Sequence, residues 1–284
     1  MSIDLSLDWC QAFWTPAQTR SFAMKHCMLI GIGPGHPDFL TLQAMAAMRR
    51  VDVFFLLEKA GRGKDELLAL RRDIMRRVRP DGGYREVRVP SPPRPRAVDL
   101  DDAAYRAIVA DWHAEKRRIF AELLTRELGD GETAGLLLWG DPLLYDQTIS
   151  MVEAVVRALP EPVQVGVIPG ISAVQVLAAR HRIPLNRVGE SVQIITGREA
   201  ETVDPAQVCN AIVMLDYNAS FRRFVGQDME IYWGGYLGAD DEVLVAGALD
   251  EVLEELLRVK ARLREHKGWL MDTYLLRRRV QGAD

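Results

Sequence analysis

Residues 27–45 constrain the fold more than any other stretch of the chain. An apolar run, Cys27-Met28-Leu29-Ile30, meets Gly31-Ile32-Gly33-Pro34-Gly35-His36-Pro37, and a helix-like pattern resumes at Leu40. This is strand, tight turn, helix. In open α/β sheets, ligands sit over the carboxyl ends of strands at such turns. Glycine there permits positive φ and close approach of the backbone to a ligand. Two better-known glycine loops are excluded. His36 stands where a dinucleotide fingerprint needs a small residue, and no Gly-Lys-Ser/Thr closes a phosphate-cradling loop. The turn reads as a rigid backbone edge for a flat polar ligand, or as a plain structural turn.

The same unit recurs along the first half. Strands are expected over 51–57, 84–89, 135–139 and 163–168, with helices over 40–50, 65–78, 101–128 and 148–158, and a further helix running to about residue 180. The nearly continuous apolar run 51–57 suits a parallel strand buried on both faces. Past Arg187 the spacing changes. Strands over 192–196, 211–215, 228–233, 243–248 and 269–276, with one helix over 249–264, suggest a mixed or antiparallel sheet. The expectation is an α/β protein of two α/β domains: 25–168 with a mainly parallel sheet, and 169–284 with a mixed one. Residues 1–24 read as an extension.

Composition narrows the function. The 284 residues carry a formal charge of −4, which argues against a general nucleic-acid binder. No run of about 18 apolar residues predicts a membrane span, and residues 1–24 lack the apolar core of a signal peptide. Cys10, Cys27 and Cys209 show neither metal spacing nor a disulfide framework, so a reducing cytoplasm is the expected location. The cations are unevenly spread. Arg71, Arg72, Arg76, Arg77, Arg79, Arg85, Arg88, Arg94 and Arg96 crowd one region, and Arg180, His181, Arg182 and Arg187 another.

Three turns each end a buried strand: Gly31-Ile32-Gly33-Pro34-Gly35, Gly140-Asp141-Pro142 and Pro169-Gly170-Ile171-Ser172-Ala173. Their order and separation resemble the tetrapyrrole methylase family, across residues 27–276. Residues 178–187, 231–238 and 269–276 are similar to one branch of it. The resemblance implies S-adenosylmethionine in a cleft between the domains, leaving as S-adenosylhomocysteine. It implies cofactor contacts from Pro34, Trp139, Gly140, Asp141, Leu144, Ser172, Ala173, Leu215, Asp216, Tyr236, Leu237 and Gly238. It further implies precorrin-5 as the tetrapyrrole substrate, a methyl group delivered to carbon 1, loss of an acetyl group as acetate, and a homodimer.

Methyl transfer from a sulfonium needs position more than side-chain chemistry. Acetyl loss is hydrolytic and wants a general base. Asp141 and Glu58, at carboxyl ends of strands, are the catalytic candidates, although Asp141 also suits a helix cap. His36, Tyr145, Arg180, His181 and Arg182 are the candidate substrate contacts, because arginine pairs well with the carboxylates of such a macrocycle. A different methylated carbon, an inactive cofactor-binding relative and a nicotinamide-dependent oxidoreductase are the competing readings.

Overall fold

The computed structural model describes residues 24–58, 65–93 and 102–279, in which ten strands form two five-stranded sheets. The expected extension at 1–24 lies almost wholly outside the described residues, as do Arg94 and Arg96.

The first sheet contains β1 (Lys25–Gly31), β2 (Val53–Glu58), β3 (Arg85–Pro90), β4 (Thr133–Leu138) and β5 (Val163–Ile168). Its order is β3-β2-β4-β1-β5, and every pairing is parallel. Alternation in β2 explains its unbroken apolar sequence. Val53 and Phe55 face one core with Ile119, Phe120, Met151 and Val152. Phe54 and Leu56 face another with Ala44, Met48, Ile74 and Met75. The first group comes from helices α3 (Asp102–Glu122) and α4 (Thr148–Ala158), the second from α1 (Leu42–Met48) and α2 (Asp65–Val78). Thr41 starts α1 by accepting a 3.0 Å bond from the Ala44 amide, the favoured role for a hydroxyl at that position.

The second sheet contains β6 (Gln193–Thr196), β7 (Asn210–Met214), β8 (Met229–Gly235), β9 (Val243–Ala248) and β10 (Asp272–Arg278). Its order is β6-β7-β10-β8-β9; β6 and β7 are parallel and the other pairs antiparallel. Helix α5 (Ala173–His181) covers the face bearing Ile212 and Leu275. A four-residue helix, α6 (Gly197–Ala200), follows β6, and α7 (Leu249–Lys267) covers the face bearing Val213, Trp233 and Tyr274. The chain thus passes from the first sheet to the second between Ile168 and Ala173.

Two expected strands shift. β4 begins at Thr133 and ends before Trp139, because Gly140 turns the chain with φ +69. The strand expected over 269–276 begins only at Asp272. Trp269, Leu270 and Met271 form the approach to it, where the Met271 carbonyl accepts from the Tyr236 amide at 2.9 Å. The long third helix ends in a π-helical turn, Leu123–Glu127, before Gly129.

Candidate functional site

The three turns meet at the carboxyl edge of the parallel sheet. β1 and β4 end in register, Gly31 opposite Leu138, and β5 flanks β1 with Ile168 opposite Ile30. The chain also changes direction here: β1 leads to β2 beyond β4, and β4 leads to β5 beyond β1. Such a switch point opens a crevice. Gly33 donates to the Gly140 carbonyl at 3.2 Å and Gly140 donates to the Gly33 carbonyl at 2.9 Å. Gly170 is wedged against both: a Cβ there would lie 2.1 Å from the Gly140 oxygen and 2.9 Å from Gly31 backbone atoms. Asp141 Oδ1 accepts from the Leu143 amide at 3.2 Å and from the Gly170 amide at 3.4 Å. The first, second and third turns are therefore one interlocked ledge.

Beside this ledge lies a cleft of about 870 Å³, a size suited to a small-molecule cofactor or a drug-sized ligand. Its first wall carries Pro34, His36, Trp139, Leu144, Tyr145 and Ala173. The second sheet supplies Leu215 and Asp216 after β7, Tyr236, Leu237 and Gly238 after β8, and His266, Lys267 and residues 269–273. Leu67, Leu70, Asp73 and Arg77 of α2 close one side. Gly140, Asp141 and Ser172 do not line it but hold the ledge together. The Ser172 hydroxyl is engaged with Gln175 and with the Val174 amide as the cap of α5.

Backbone strain gathers at this cleft. Six non-glycine residues among those described have left-handed φ, and Tyr145, Leu215 and Tyr236 of these six line the cleft. Such conformations cost on the order of 1 kcal/mol or more each and cluster at ligand clamps. Leu215 is 64% exposed and Tyr217 77%, so apolar surface stands open at the rim. The Tyr145 hydroxyl crosses between sheets and donates to the Ile194 carbonyl at 2.8 Å. Its burial, and Glu199 nearby, raise the phenol pKa above the ordinary value and keep it a donor. His36 Nδ1 lies 3.2 Å from the Asp38 amide and 3.4 Å from the Asp38 carboxylate.

A buried polar network underlies the second wall. Asp216 accepts from the Ser220 amide at 2.7 Å and from the Tyr274 hydroxyl at 2.8 Å. Lys260 Nζ donates to the Asp216 carbonyl at 2.8 Å and to Asp272 Oδ2 at 2.6 Å. The Trp233 indole donates to the same Asp272 oxygen at 2.9 Å. Burial pushes the Asp272 carboxyl upward, and Lys260 and Trp233 oppose that shift. The Asp216 side chain thus holds the loop that lines the second wall.

The remaining expected residues lie off the cleft lining. Glu58 ends β2 in an ion pair with Arg88 at 3.3 Å. Arg180 pairs with Glu242 at 2.8 Å. His181 Nε2 lies 3.0 Å from the Trp233 carbonyl, and burial lowers its pKa. Arg182 is the left-handed C-cap of α5. In the first arginine cluster, Arg72 pairs with Glu86, Arg79 with Asp81 and Arg85 with Glu132, while Arg71 bonds the Leu137 and Leu67 carbonyls. Among the described members of that cluster, Arg77 lines the cleft. Trp233 is fully buried, and Tyr232 bonds Glu230 and packs on His181. Among the described residues no three His, Cys, Asp or Glu side chains gather as metal ligands, and no helix is long and apolar enough to cross a membrane.

Sequence reasoning missed the α2 wall and the Lys260–Asp272 pair. The latter had a signal: Lys260 interrupts the apolar stripe Leu249, Leu256, Leu263 of α7, a position where a lysine is buried only with a partner.

The family model for Tetrapyrrole (Corrin/Porphyrin) Methylases matches residues 26–253. A precorrin-6A synthase (deacetylating) of Sinorhizobium sp. is 42% identical over 261 residues, which span 92% of this chain and 97% of that relative. The crystal structure of a cobalamin-synthesis-related protein, CobF, from Corynebacterium diphtheriae superposes with a TM-score of 0.73 at 34% identity, covering 90% of this chain and 99% of that one. A uroporphyrin-III C-methyltransferase of Thermus thermophilus, solved with S-adenosylhomocysteine, shares the fold at 17% identity and a TM-score of 0.51, over 89% of this chain and 97% of that one. With the three-turn ledge in place and the match spanning both sheets, the chain belongs to the tetrapyrrole methylase family.

Proposed function

We propose that the chain is an S-adenosylmethionine-dependent C-methyltransferase of cobalamin synthesis. It methylates carbon 1 of precorrin-5 and releases the acetyl group as acetate, giving precorrin-6A. The observation that carries this is the 42% identity to a precorrin-6A synthase over nearly the whole of both chains. The cleft fits the cofactor. Its first wall, with Pro34, Gly35, Trp139, Leu144 and Ala173, is carried on the glycine ledge, and its second wall includes Leu215, Tyr236 and Leu237. S-adenosylmethionine supplies an electrophilic methyl group, so no protein nucleophile is needed. In the overall balance, water adds its oxygen to the acetyl carbon, and the bond from that carbon to carbon 1 breaks. The electron pair stays with the macrocycle, where the methyl group is accepted.

His36 and Tyr145 are the proposed substrate contacts that line the cleft; Arg77 and Lys267 are cations of the same lining, each paired at 2.8 Å, with Asp73 and with Asp241, and would exchange these acceptors for peripheral carboxylates. Neither catalytic candidate lines the cleft; Asp141 is preferred over Glu58 because it belongs to the ledge that carries the first wall, while Glu58 is paired with Arg88. Asn at position 141 retains the Oδ1 acceptor but not the basic carboxylate. Asp141→Asn is therefore expected to bind S-adenosylhomocysteine within about twofold of wild type, while acetate release falls by about 100-fold or more. Undiminished acetate release would restrict Asp141 to holding the turns.

The function itself is tested by incubating the purified chain with precorrin-5 and methyl-labelled cofactor. One labelled methyl and one acetate per turnover are expected. Label transferred to another precorrin without acetate would identify a methyltransferase acting at a different carbon. We also propose a cytoplasmic homodimer, for which sedimentation velocity should give twice the chain mass.

A further inference from the structure

The turn after β8 is held at both ends, but by different means. Tyr236 is fixed through its amide to the Met271 carbonyl at 2.9 Å and through its hydroxyl to the Trp269 carbonyl at 2.5 Å. Gly238, at the other end, has φ +78 and packs backbone to backbone on the first turn. A Cβ on Gly35 would lie 2.4 Å from the Gly238 carbonyl carbon, and a Cβ on Gly238 would lie 2.8 Å from the Phe39 ring. The Gly238 amide donates to Glu242 Oε2 at 2.7 Å. The other oxygen of Glu242 pairs with Arg180 Nε at 2.8 Å, and the Arg180 guanidinium lies 5.7 Å from the Phe39 ring centroid. Phe39 follows the first turn, Arg180 ends α5 and Glu242 precedes β9. The four groups form a chain of contacts behind Gly238, which itself lines the cleft.

We propose that Arg180 and Glu242 are a positioning pair that holds Gly238 against the first turn, and thereby sets affinity for the cofactor rather than for the tetrapyrrole. The inference rests on the proposed reading that the cofactor occupies this cleft. Arg180 spends its guanidinium on Glu242 and Phe39, so a substrate carboxylate would have to displace a well-shielded acceptor. Glu242 in turn is the acceptor that fixes the Gly238 amide. With it removed, the Gly238 amide loses its acceptor and Gly238 rests on the first turn by van der Waals contact, while the Ala239 amide keeps its 2.9 Å bond to the Tyr236 carbonyl and the Tyr236 end stays bonded. The cation also sits in the last turn of α5, where the helix dipole favours it.

The test is titration calorimetry of the full chain with S-adenosylhomocysteine, together with KM for S-adenosylmethionine and for the tetrapyrrole. Arg180→Ala and Glu242→Ala are each expected to weaken S-adenosylhomocysteine binding about tenfold, the scale of a lost hydrogen bond to a charged group. The tetrapyrrole KM should stay within about twofold. Glu242→Gln keeps an acceptor for the Gly238 amide and should lose about threefold or less, and Arg180→Lys should recover part of the Arg180→Ala loss. The double alanine variant should be no worse than Glu242→Ala, because the two act as a unit. Hydrogen exchange at the Gly238 amide should quicken in Glu242→Ala and stay slow in Glu242→Gln. A raised tetrapyrrole KM with unchanged S-adenosylhomocysteine affinity in Arg180→Ala would make Arg180 a substrate group and overturn the proposal. Unchanged cofactor affinity in all variants would overturn it as well, leaving the proposed function intact. Failure of the wild-type chain to bind S-adenosylhomocysteine would overturn both. Should Arg180→Ala fold poorly by circular dichroism, Glu242→Gln and Arg180→Lys carry the decision.

Discussion

Gly170→Ala is expected to weaken S-adenosylhomocysteine binding by more than about 100-fold, the scale of an ångström-sized misplacement in a positioned site. The reason is steric and local. The added methyl would sit 2.1 Å from the Gly140 carbonyl oxygen and 2.9 Å from Gly31 backbone atoms. None of these is the end of a flexible side chain, so none can rotate away. To admit the methyl, the third turn must retreat from the first two, stretching the Asp141 Oδ1 contact to the Gly170 amide, already 3.4 Å. Overpacking of this kind costs about 1–3 kcal/mol in stability, which leaves the domain folded. Calorimetry with S-adenosylhomocysteine, with thermal unfolding as the control for folding, checks both halves. Full affinity in a folded Gly170→Ala protein would mean that the ledge is not the cofactor's support.

The second large effect is on stability. Lys260→Met is expected to cost about 3–5 kcal/mol, the penalty for stranding one charge of a buried pair. Lys260 is 3% exposed and Asp272 9%. Without the ammonium, Asp272 keeps the Trp233 indole but loses the cation that most opposes the effect of its burial. Its carboxyl is already raised in the wild-type chain and would rise further in the variant. A carboxyl with a folded pKa above its unfolded value favours the folded state below the unfolded value, and loses that contribution as pH rises through the folded one. The deficit of Lys260→Met should therefore widen from pH 5 to pH 8. Urea unfolding at several pH values measures this. Lys260→Met combined with Asp272→Leu should recover much of the loss, because no lone charge is then left inside. A deficit independent of pH would assign the cost to packing rather than to the carboxylate.

These two predictions mark what could be read from residues alone and what could not. Gly31, Gly33, Gly140 and Gly170 announce themselves, because a strand followed by glycine and proline leaves few conformations open, and their spacing implies a shared edge. The residues after β7 and β8 are expected at the cleft through the resemblance to the family alone, and they line it. Arg180, His181 and Arg182 show the limit. Composition places three cations after a turn, yet only packing decides that Arg180 meets Glu242, that His181 meets the Trp233 carbonyl and that Arg182 caps a helix. The partner residues lie about 50 to 60 positions away, beyond any local pattern. The α2 wall escaped notice similarly, since Leu67 and Leu70 look like ordinary members of an apolar stripe. Lys260 was legible in principle, as a charge on the buried face of α7.

The placement of β10 has a consequence for biosynthesis. This strand lies between β7 and β8 in the second sheet, antiparallel to both. All five strands of the first sheet precede residue 169, so that half can be assembled while translation continues. The second cannot. Until residues 272–278 emerge from the ribosome, β7, with Ile212 and Val213, and β8, with Ile231 and Trp233, each present an unpaired edge. A premature stop codon even a few residues upstream of Asp272 would leave a well-made first half tethered to an aggregation-prone second.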